Sequence, residues 1–303
     1  MSEYNLKAIR EEFKQKGIYY TPPELVETIK SYVTNDPKNV YDPTCGDGAL
    51  LAAFGDDVKK YGQEIDKRQL EVAEERLINF TGYCGDTLKD PAFRDQKFDC
   101  IVANPPFSIT WEPNMDERFF GAPTIPTRSK ADYAFILHIL HYLTREGIAV
   151  ILCFPGVLYR GNRELKIREW MLEENYIEKV ISIPGDTFVD TKISTNILVL
   201  NKNKFTTDVI FESKELNKSR TVTLEEITKN DYTLSVNTYV QKEVVKEKIN
   251  PEEIQNLARN YMLRKLEADL TFDQQVCKLE PGFTMDNYLN DLQTVINKFK
   301  DKK

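Results

Sequence analysis

The sequence predicts an α/β fold built on a mostly parallel, doubly wound sheet, and two observations carry that prediction. Short apolar runs bounded by turn residues recur at 40–45, 61–66, 80–85, 98–104, 147–155 and 177–184. Helical patterns lie between most of them, as at 66–79 and 130–145. Strands alternating with helices describe a parallel sheet covered on both faces.

The elements follow in order. Residues 1–38 read as helical: Leu6, Ile9, Arg10 and Phe13 sit at helical spacing, and Pro22-Pro23 opens a second helix over 24–32. The alternating runs then form the sheet. A last strand at 193–201 follows its predecessor after a loop too short for a crossover helix, which predicts antiparallel pairing. Residues 203–241 read as a short irregular or β-containing extension. Residues 242–303 read as a helical tail, broken near Pro281-Gly282, with 11 Lys/Arg balanced by 11 Asp/Glu. The expected divisions are thus 1–38, 39–202, 203–241 and 242–303.

Composition bounds the function. At 303 residues, 41% hydrophobic and 29% charged, the chain can bury a sizeable core, which excludes disorder as the main reading. No stretch approaches the ~18 uninterrupted apolar residues of a membrane span. The charged N-terminus lacks the apolar core of a signal peptide. Five scattered cysteines, none in a C-x-x-C pair, argue against a disulfide framework and a zinc knuckle, so a reducing, cytoplasmic setting is expected. A net charge of −7 argues against a protein that coats nucleic acid by itself. It leaves room for a local basic groove or a partner that brings the positive charge.

The first strand runs into Asp42-Pro43-Thr44-Cys45-Gly46-Asp47-Gly48, and a helix is expected next. A strand, a glycine turn and a helix are where doubly wound folds bind nucleotides. Gly46 and Gly48 would let backbone approach a ligand without an intervening Cβ; a plain structural turn is the alternative. Leu51 stands where a dinucleotide fingerprint carries its third glycine, which counts against NAD. The next two strands close in Glu64 and Asp86. A carboxylate at the first of these ends can accept from ribose hydroxyls, and one at the second from an adenine amine. Singly, each reads as well as a turn or helix cap. Three acidic strand ends in succession point to a nucleoside-type cofactor.

The fourth strand enters Asn104-Pro105-Pro106-Phe107. Two prolines fix φ and cannot extend a ladder, so the alternative is a mere strand-ending turn. The chemistry favours more. A purine's exocyclic amine is a poor nucleophile because its lone pair is delocalised into the ring. The Asn104 side-chain carbonyl and the Pro105 main-chain carbonyl can both accept from its N–H groups and favour a pyramidal nitrogen. Phe107 can stack on the base. Proximity to an electrophilic methyl does the rest, and the product proton leaves to solvent without a tuned general base.

These motifs together resemble the S-adenosylmethionine-dependent N6-adenine DNA methyltransferases of the gamma class. More narrowly, the chain resembles the modification subunit of type I restriction–modification systems. The likeness runs from Tyr19 to Val240. It takes in Tyr19-Tyr20-Thr21-Pro22-Pro23-Glu24 ahead of the glycine turn, Trp111, Asp116 and Arg118, and Ala131-Asp132-Tyr133-Ala134-Phe135-Ile136. It continues through Pro155-Gly156-Val157-Leu158-Tyr159-Arg160-Gly161 to Asn230-Asp231-Tyr232-Thr233-Leu234. The resemblance implies the seven-stranded, Rossmann-like methyltransferase sheet. It implies that Tyr19, Tyr20, Thr21 and Pro22 flank the methionine end of S-adenosylmethionine and that Asp42, Thr44, Cys45, Gly46 and Gly48 cradle it. Glu64 would hold the ribose, Asp86 the cofactor's adenine, and Asn104, Pro105, Pro106 and Phe107 the flipped target adenine. It implies double-stranded DNA, a specificity subunit and a restriction subunit as partners. No helix-turn-helix or zinc module is legible after the last strand. Sequence readout is therefore expected from a separate specificity subunit, docked through the C-terminal helices.

Weaker signals stand beside these. The stretch 108–130 interleaves Trp111, Phe119 and Phe120 with Arg118, Arg128 and Lys130. It suits a DNA-facing loop, or equally a surface loop whose aromatics cap the core. His138 and His141 are spaced for a metal pair, but no third ligand is in view and none is expected. Arg160 and Arg163 suit phosphate contacts or plain surface charge. Cys45 is not preceded by proline, which counts against a C5-cytosine enzyme. The alternatives to DNA adenine methylation are an RNA adenine or protein glutamine methyltransferase, and a non-catalytic scaffold that binds the cofactor.

Overall fold

A computed structural model describes residues 21–185, 195–241, 250–279, 282 and 284–300. The expected helix around Leu6–Phe13, together with Tyr19 and Tyr20, lies outside the described residues, as do residues 193 and 194 of the last expected strand. The chain forms two compact units, Met1–Lys242 and Glu243–Lys303.

The first unit is a single mixed sheet with helices on both faces. Its strands are β1 (Asn39–Asp42), β2 (Lys59–Glu64), β3 (Phe80–Cys84), β4 (Phe98–Ala103), β5 (Leu143–Cys153), β6 (Ile177–Ile183), β7 (Thr195–Asn201), β8 (Val209–Ser213) and β9 (Lys218–Val222), in the order β3-β2-β1-β4-β5-β7-β6-β8-β9. β1 pairs in parallel with β2 on one side and with β4 on the other. The strand order therefore reverses at β1, and the carboxyl ends of β1 and β4 open side by side, where doubly wound sheets bind ligands. β7 runs antiparallel to both β5 and β6, as its short connection requires.

The resemblance implies seven strands, and among the described residues the sheet has nine. The extension supplies the other two: β8 pairs in parallel with β6, and β9 closes on β8 as a hairpin. The physical reason is the edge that β6 would otherwise expose: the β8 backbone pairs with it from Lys179↔Ile210 to Ser182↔Ser213, while Val209 and Phe211 bury their side chains in the core. Behind the hairpin, Arg168, almost wholly buried, donates from Nε to the Tyr232 carbonyl at 2.7 Å and pins the following loop.

Alternation along the strands builds two cores. Tyr41, Ile101, Ala103 and Ile151 face one side, against α3 (Asp132–Tyr142) and α4 (Asn162–Glu173). Val40, Cys100, Val102 and Val150 face the other, against α1 (Pro23–Ser31) and α2 (Lys67–Arg76). Pro22 and Pro23 start α1 as expected, and Leu25, Val26 and Ile29 bury its inner face. α3 is apolar on nearly every side and is buried accordingly. One expected helix is absent: after the glycine turn the chain makes only the short 3-10 turn Leu51–Ala53. Gly55-Asp56-Asp57 follow at once, and turn-forming residues leave no room to propagate a helix before β2. Two short helices, α5 (Leu224–Lys229) and α6 (Val236–Tyr239), complete the unit.

The second unit holds α7 (Pro251–Cys277) and α8 (Met285–Lys300), capped at its start by the Asn250 side chain accepting from Glu252 N at 3.1 Å. The break near Pro281-Gly282 falls between them. No described residue of either helix is buried, and Leu257, Tyr261, Leu263, Phe272 and Phe299 are exposed. Among the described residues no helix is long and apolar enough to cross a membrane.

Candidate active site

The glycine turn is tied down at every residue. The Asp42 carboxylate oxygen Oδ1 accepts from Thr44 N at 2.9 Å, which closes a tight turn at the end of β1. Cys45 N donates to the Gln63 carbonyl at 3.0 Å, and Gly46 N to Glu64 Oε2 at 2.9 Å, which locks the turn to the end of β2. Glu64 Oε1 accepts in turn from Asp66 N at 2.9 Å. The two glycines do different work. Both have positive φ, +52° for Gly46 and +79° for Gly48. A Cβ on Gly46 would meet nothing within 4 Å, because the residue fronts open space. A Cβ on Gly48 would stand 2.7 Å from Leu77 Cδ1, so that glycine serves packing against the end of α2.

The third strand end mirrors the first. Asp86 Oδ1 accepts from Leu88 N at 3.0 Å, and the neighbouring Thr87 hydroxyl donates to the Pro43 carbonyl. Burial drives the acid–base behaviour of the turn. It raises the Asp42 carboxyl to about 8, with the nearby Glu64 charge adding to the rise, against the lowering effect of the Thr44 N–H. It also pushes the Cys45 thiol well above its ordinary value. Cys45 is thus a packed, inert thiol.

Thr44, Gly46, Glu64, Asp86, Asn104 and Pro106, all singled out from the sequence, line one cavity of about 570 Å³. Ile109, Trp111 and Arg128 of the following loop and Phe135 of α3 share the lining. Thr21, Pro22, Asp42, Cys45, Gly48, Pro105 and Phe107 are not part of it. Asp42 and Gly48 shape the turn from behind, and Phe107 packs beside Phe154, ring centroids 6.2 Å apart.

Asn104 is the most telling residue of the set. Its amide nitrogen donates to Thr21 Oγ1 at 3.0 Å. Its carbonyl oxygen Oδ1 is buried and has no hydrogen-bond partner among the described residues. Asn35, Asn114 and Asn175 also carry a partnerless Oδ1, so what sets Asn104 apart is its place in the wall of the cavity.

After Phe107 the backbone turns through Ser108 at φ +53°, a strained value for a residue with a Cβ. A buried cluster holds it there. Asp132 accepts from Ser108 N at 3.2 Å, and Arg160 reaches Asp132 at 3.2 Å, Glu164 at 3.1 Å and Ser108 Oγ at 3.1 Å. Arg160 therefore anchors the corner behind Phe107 and is not a bare phosphate ligand. Desolvation raises the Glu164 carboxyl, with Arg160 opposing it.

The loop 108–130 splits the expectation of a DNA-facing segment. Phe120 and Arg128 are exposed, but Trp111, Arg118 and Phe119 are buried. Trp111 packs edge-on against Phe119 at 5.3 Å. Arg118, its side chain 1% exposed, pairs with Asp116 at 2.8 Å and donates to the Thr87 carbonyl at 2.8 Å and the Leu88 carbonyl at 2.9 Å. It also reaches His138 Nδ1 at 3.0 Å, so His138 belongs to this network. Among the described residues no group of three or more His, Cys, Asp or Glu is disposed to hold a metal. Sequence reasoning gave no role to Thr21 beyond cofactor contact, to Asp132 or to Phe135. The last two stand in a quoted motif, so their presence was legible and their partners were not.

Comparison with known proteins agrees with this geometry. Residues 1–218 match the family described as N-6 DNA Methylase. The methylase subunit of the type I restriction enzyme MpnII from Mycoplasma pneumoniae is 31% identical over 300 residues, covering 78% of this chain and 55% of that protein. The MjaVII methylase subunit from Methanocaldococcus jannaschii is 28% identical over 288 residues, covering 75% and 50%. The crystal structure of a type I restriction-modification methyltransferase subunit from Streptococcus thermophilus superposes with a TM-score of 0.68 at 29% identity, covering 74% of this chain and 59% of that one. The chain spans about half the length of the curated relatives it matches. With a family match over most of its length and this arrangement of strand ends around one cavity, the chain belongs to the N-6 DNA Methylase family.

Proposed function

We propose that the chain methylates N6 of adenine in double-stranded DNA, with S-adenosylmethionine as methyl donor, as the modification subunit of a type I restriction–modification assembly. The observation that carries this reading is the convergence of Thr44, Gly46, Glu64, Asp86 and Asn104 on one cavity where the neighbouring strands β1 and β4 end.

The residues present fit the cofactor. Gly46 leaves open space that a Cβ would fill, Glu64 and Asp86 bring carboxylates to the same cavity, and about 570 Å³ suits a nucleoside-sized ligand. When bound, S-adenosylmethionine supplies an electrophilic methyl on a sulfonium centre. The chain does the rest. Glu64 accepts from ribose hydroxyls and Asp86 from the cofactor's adenine amine. Asn104 Oδ1 and the Pro105 carbonyl accept from the target amine and turn its lone pair out of conjugation. Phe107 stacks on the extruded base, which offsets the few kcal/mol of unstacking. Water takes the proton that the product amine releases.

The partners follow from charge and exposed apolar surface. A net charge of −7 leaves duplex binding to shared surfaces. The exposed apolar residues of α7 and α8 suit docking of a specificity subunit, and a restriction subunit would join that assembly in the cytoplasm. The test is tritiated S-adenosylmethionine with adenine-containing DNA and the cognate specificity subunit. Label is expected in N6-methyladenine, is lost in Asn104→Ala while cofactor binding persists, and would sink the reading if found only on RNA or protein.

A further inference from the structure

We infer that Thr21 is the positioning residue of Asn104: its hydroxyl holds the amide so that the carbonyl oxygen, and not the NH2 group, is offered to the target amine. The inference rests on the methyltransferase reading and deepens it.

The two ends of an asparagine amide are nearly the same shape and opposite in hydrogen-bonding sense. A strand end and two prolines fix where the Asn104 amide sits but not which end faces the cavity. Thr21 Oγ1 lies 3.0 Å from Asn104 Nδ2 and accepts from it. Oδ1 then has no partner among the described residues, so it is the end of the amide left to accept an incoming N–H. The reverse pairing, with the hydroxyl donating to Oδ1, would turn an NH2 group into the cavity, where it would meet the amine donor to donor. Thr21 is itself well placed to hold its ground. It is 8% exposed and precedes Pro22, whose fixed φ leads into α1, and that helix is anchored by Leu25 and Ile29 in the core. The hydroxyl therefore has little freedom to follow a rotating amide. Thr21 does not line the cavity, so its effect reaches the substrate through Asn104.

The test compares the full chain with Thr21→Val, which keeps the shape and removes the acceptor, and Thr21→Ser, which restores a hydroxyl. The first readout needs no catalysis: the side-chain amide protons of Asn104 in 15N-asparagine-labelled protein, assigned by their loss in Asn104→Ala. Two well-separated proton shifts are expected in wild type and Thr21→Ser, drawing together in Thr21→Val. The second readout is methyl transfer with the specificity partner. kcat is expected to fall about a hundredfold in Thr21→Val, the scale of a misplaced reacting group, and to recover in Thr21→Ser. kcat is measured at saturating S-adenosylmethionine, so that any weakening of cofactor binding at Thr21 is separated from the loss of transfer. Unaltered Asn104 amide shifts in Thr21→Val overturn the inference whatever the activity, as does a wild-type kcat in Thr21→Val at saturating cofactor. A wild-type protein that shows the amide pattern but never labels adenine counts against the methyltransferase reading instead.

Discussion

Arg118 Nη1 lies 3.0 Å from His138 Nδ1, and that contact fixes the tautomer of a buried imidazole. A guanidinium only donates, so Nδ1 carries no proton and Nε2 does. Nε2–H then donates to the Tyr41 hydroxyl at 3.1 Å. One side chain thus connects β1, α3 and the two carbonyls that follow Asp86.

Arg118→Met should break this strut. It leaves the Thr87 carbonyl without its Arg118 donor, the Leu88 carbonyl with only Asn114 Nδ2 at 3.4 Å and Asp116 with only the Arg94 cation at 3.9 Å, a loss of about 3 kcal/mol in urea unfolding. Cofactor affinity measured by calorimetry should fall with it, because Asp86 is adjacent. Stability within about 0.5 kcal/mol of wild type would show that the strut carries no weight.

His138 sets a pH dependence. Burial drives its imidazole well below the ordinary 6.5, and Arg118 adds to the effect. Below that pH the unfolded chain binds a proton that the folded chain refuses. Stability is therefore full above about pH 6.5 and declines as pH falls, by up to about 1.4 kcal/mol per unit. His138→Gln removes the titrating group, so the difference in unfolding free energy between the two proteins should change with that slope. A pH-independent difference would refute the assignment.

Asp42 works in the opposite sense. Its folded-state value of about 8, raised by burial, lies above its ordinary 3.8. Between those values the folded state holds the extra proton, so stability falls as pH rises from about 4 to about 8. Asp42→Asn keeps an acceptor for Thr44 N and cannot ionise. Its stability relative to wild type should improve steadily over that window in parallel urea titrations, and a constant offset would contradict the buried neutral acid.

The two glycines of the turn should separate. Gly48→Ala drives a Cβ into Leu77 at a positive φ and should destabilise by about 1–3 kcal/mol. Gly46→Ala meets no protein atom, so backbone strain of about 1 kcal/mol is the main loss to stability, while its methyl enters the cavity and weakens cofactor binding. Melting curves and calorimetric titration of both variants check the contrast.

Much of this was legible in residue order. Apolar runs closed by turn residues gave β1 to β7 within a few positions, and the antiparallel β7 followed from the length of its connection. Glu64, Asp86 and Asn104 could be read as one site because each ends a strand. Other features depend on contacts distant in sequence. Trp111, Arg118 and Phe119 have the composition of a DNA-facing loop, and only the reach of Arg118 to Thr87 and His138 turns them inward. The Thr21–Asn104 bond spans 83 positions and leaves no local pattern. The helix expected after Gly48 failed for a local reason, since Gly55-Asp56-Asp57 cut it short.

The pairing of β1 with β4 has a consequence for how such a protein can change. Two neighbouring peptide strands stand about 4.8 Å apart whatever their side chains, so the spacing between the glycine turn and the Asn104 corner, the proposed methyl-donor cradle and amine holder, is inherited from the ladder itself. Recognition surfaces elsewhere can be exchanged wholesale, and these two strand ends will still stand at the same separation.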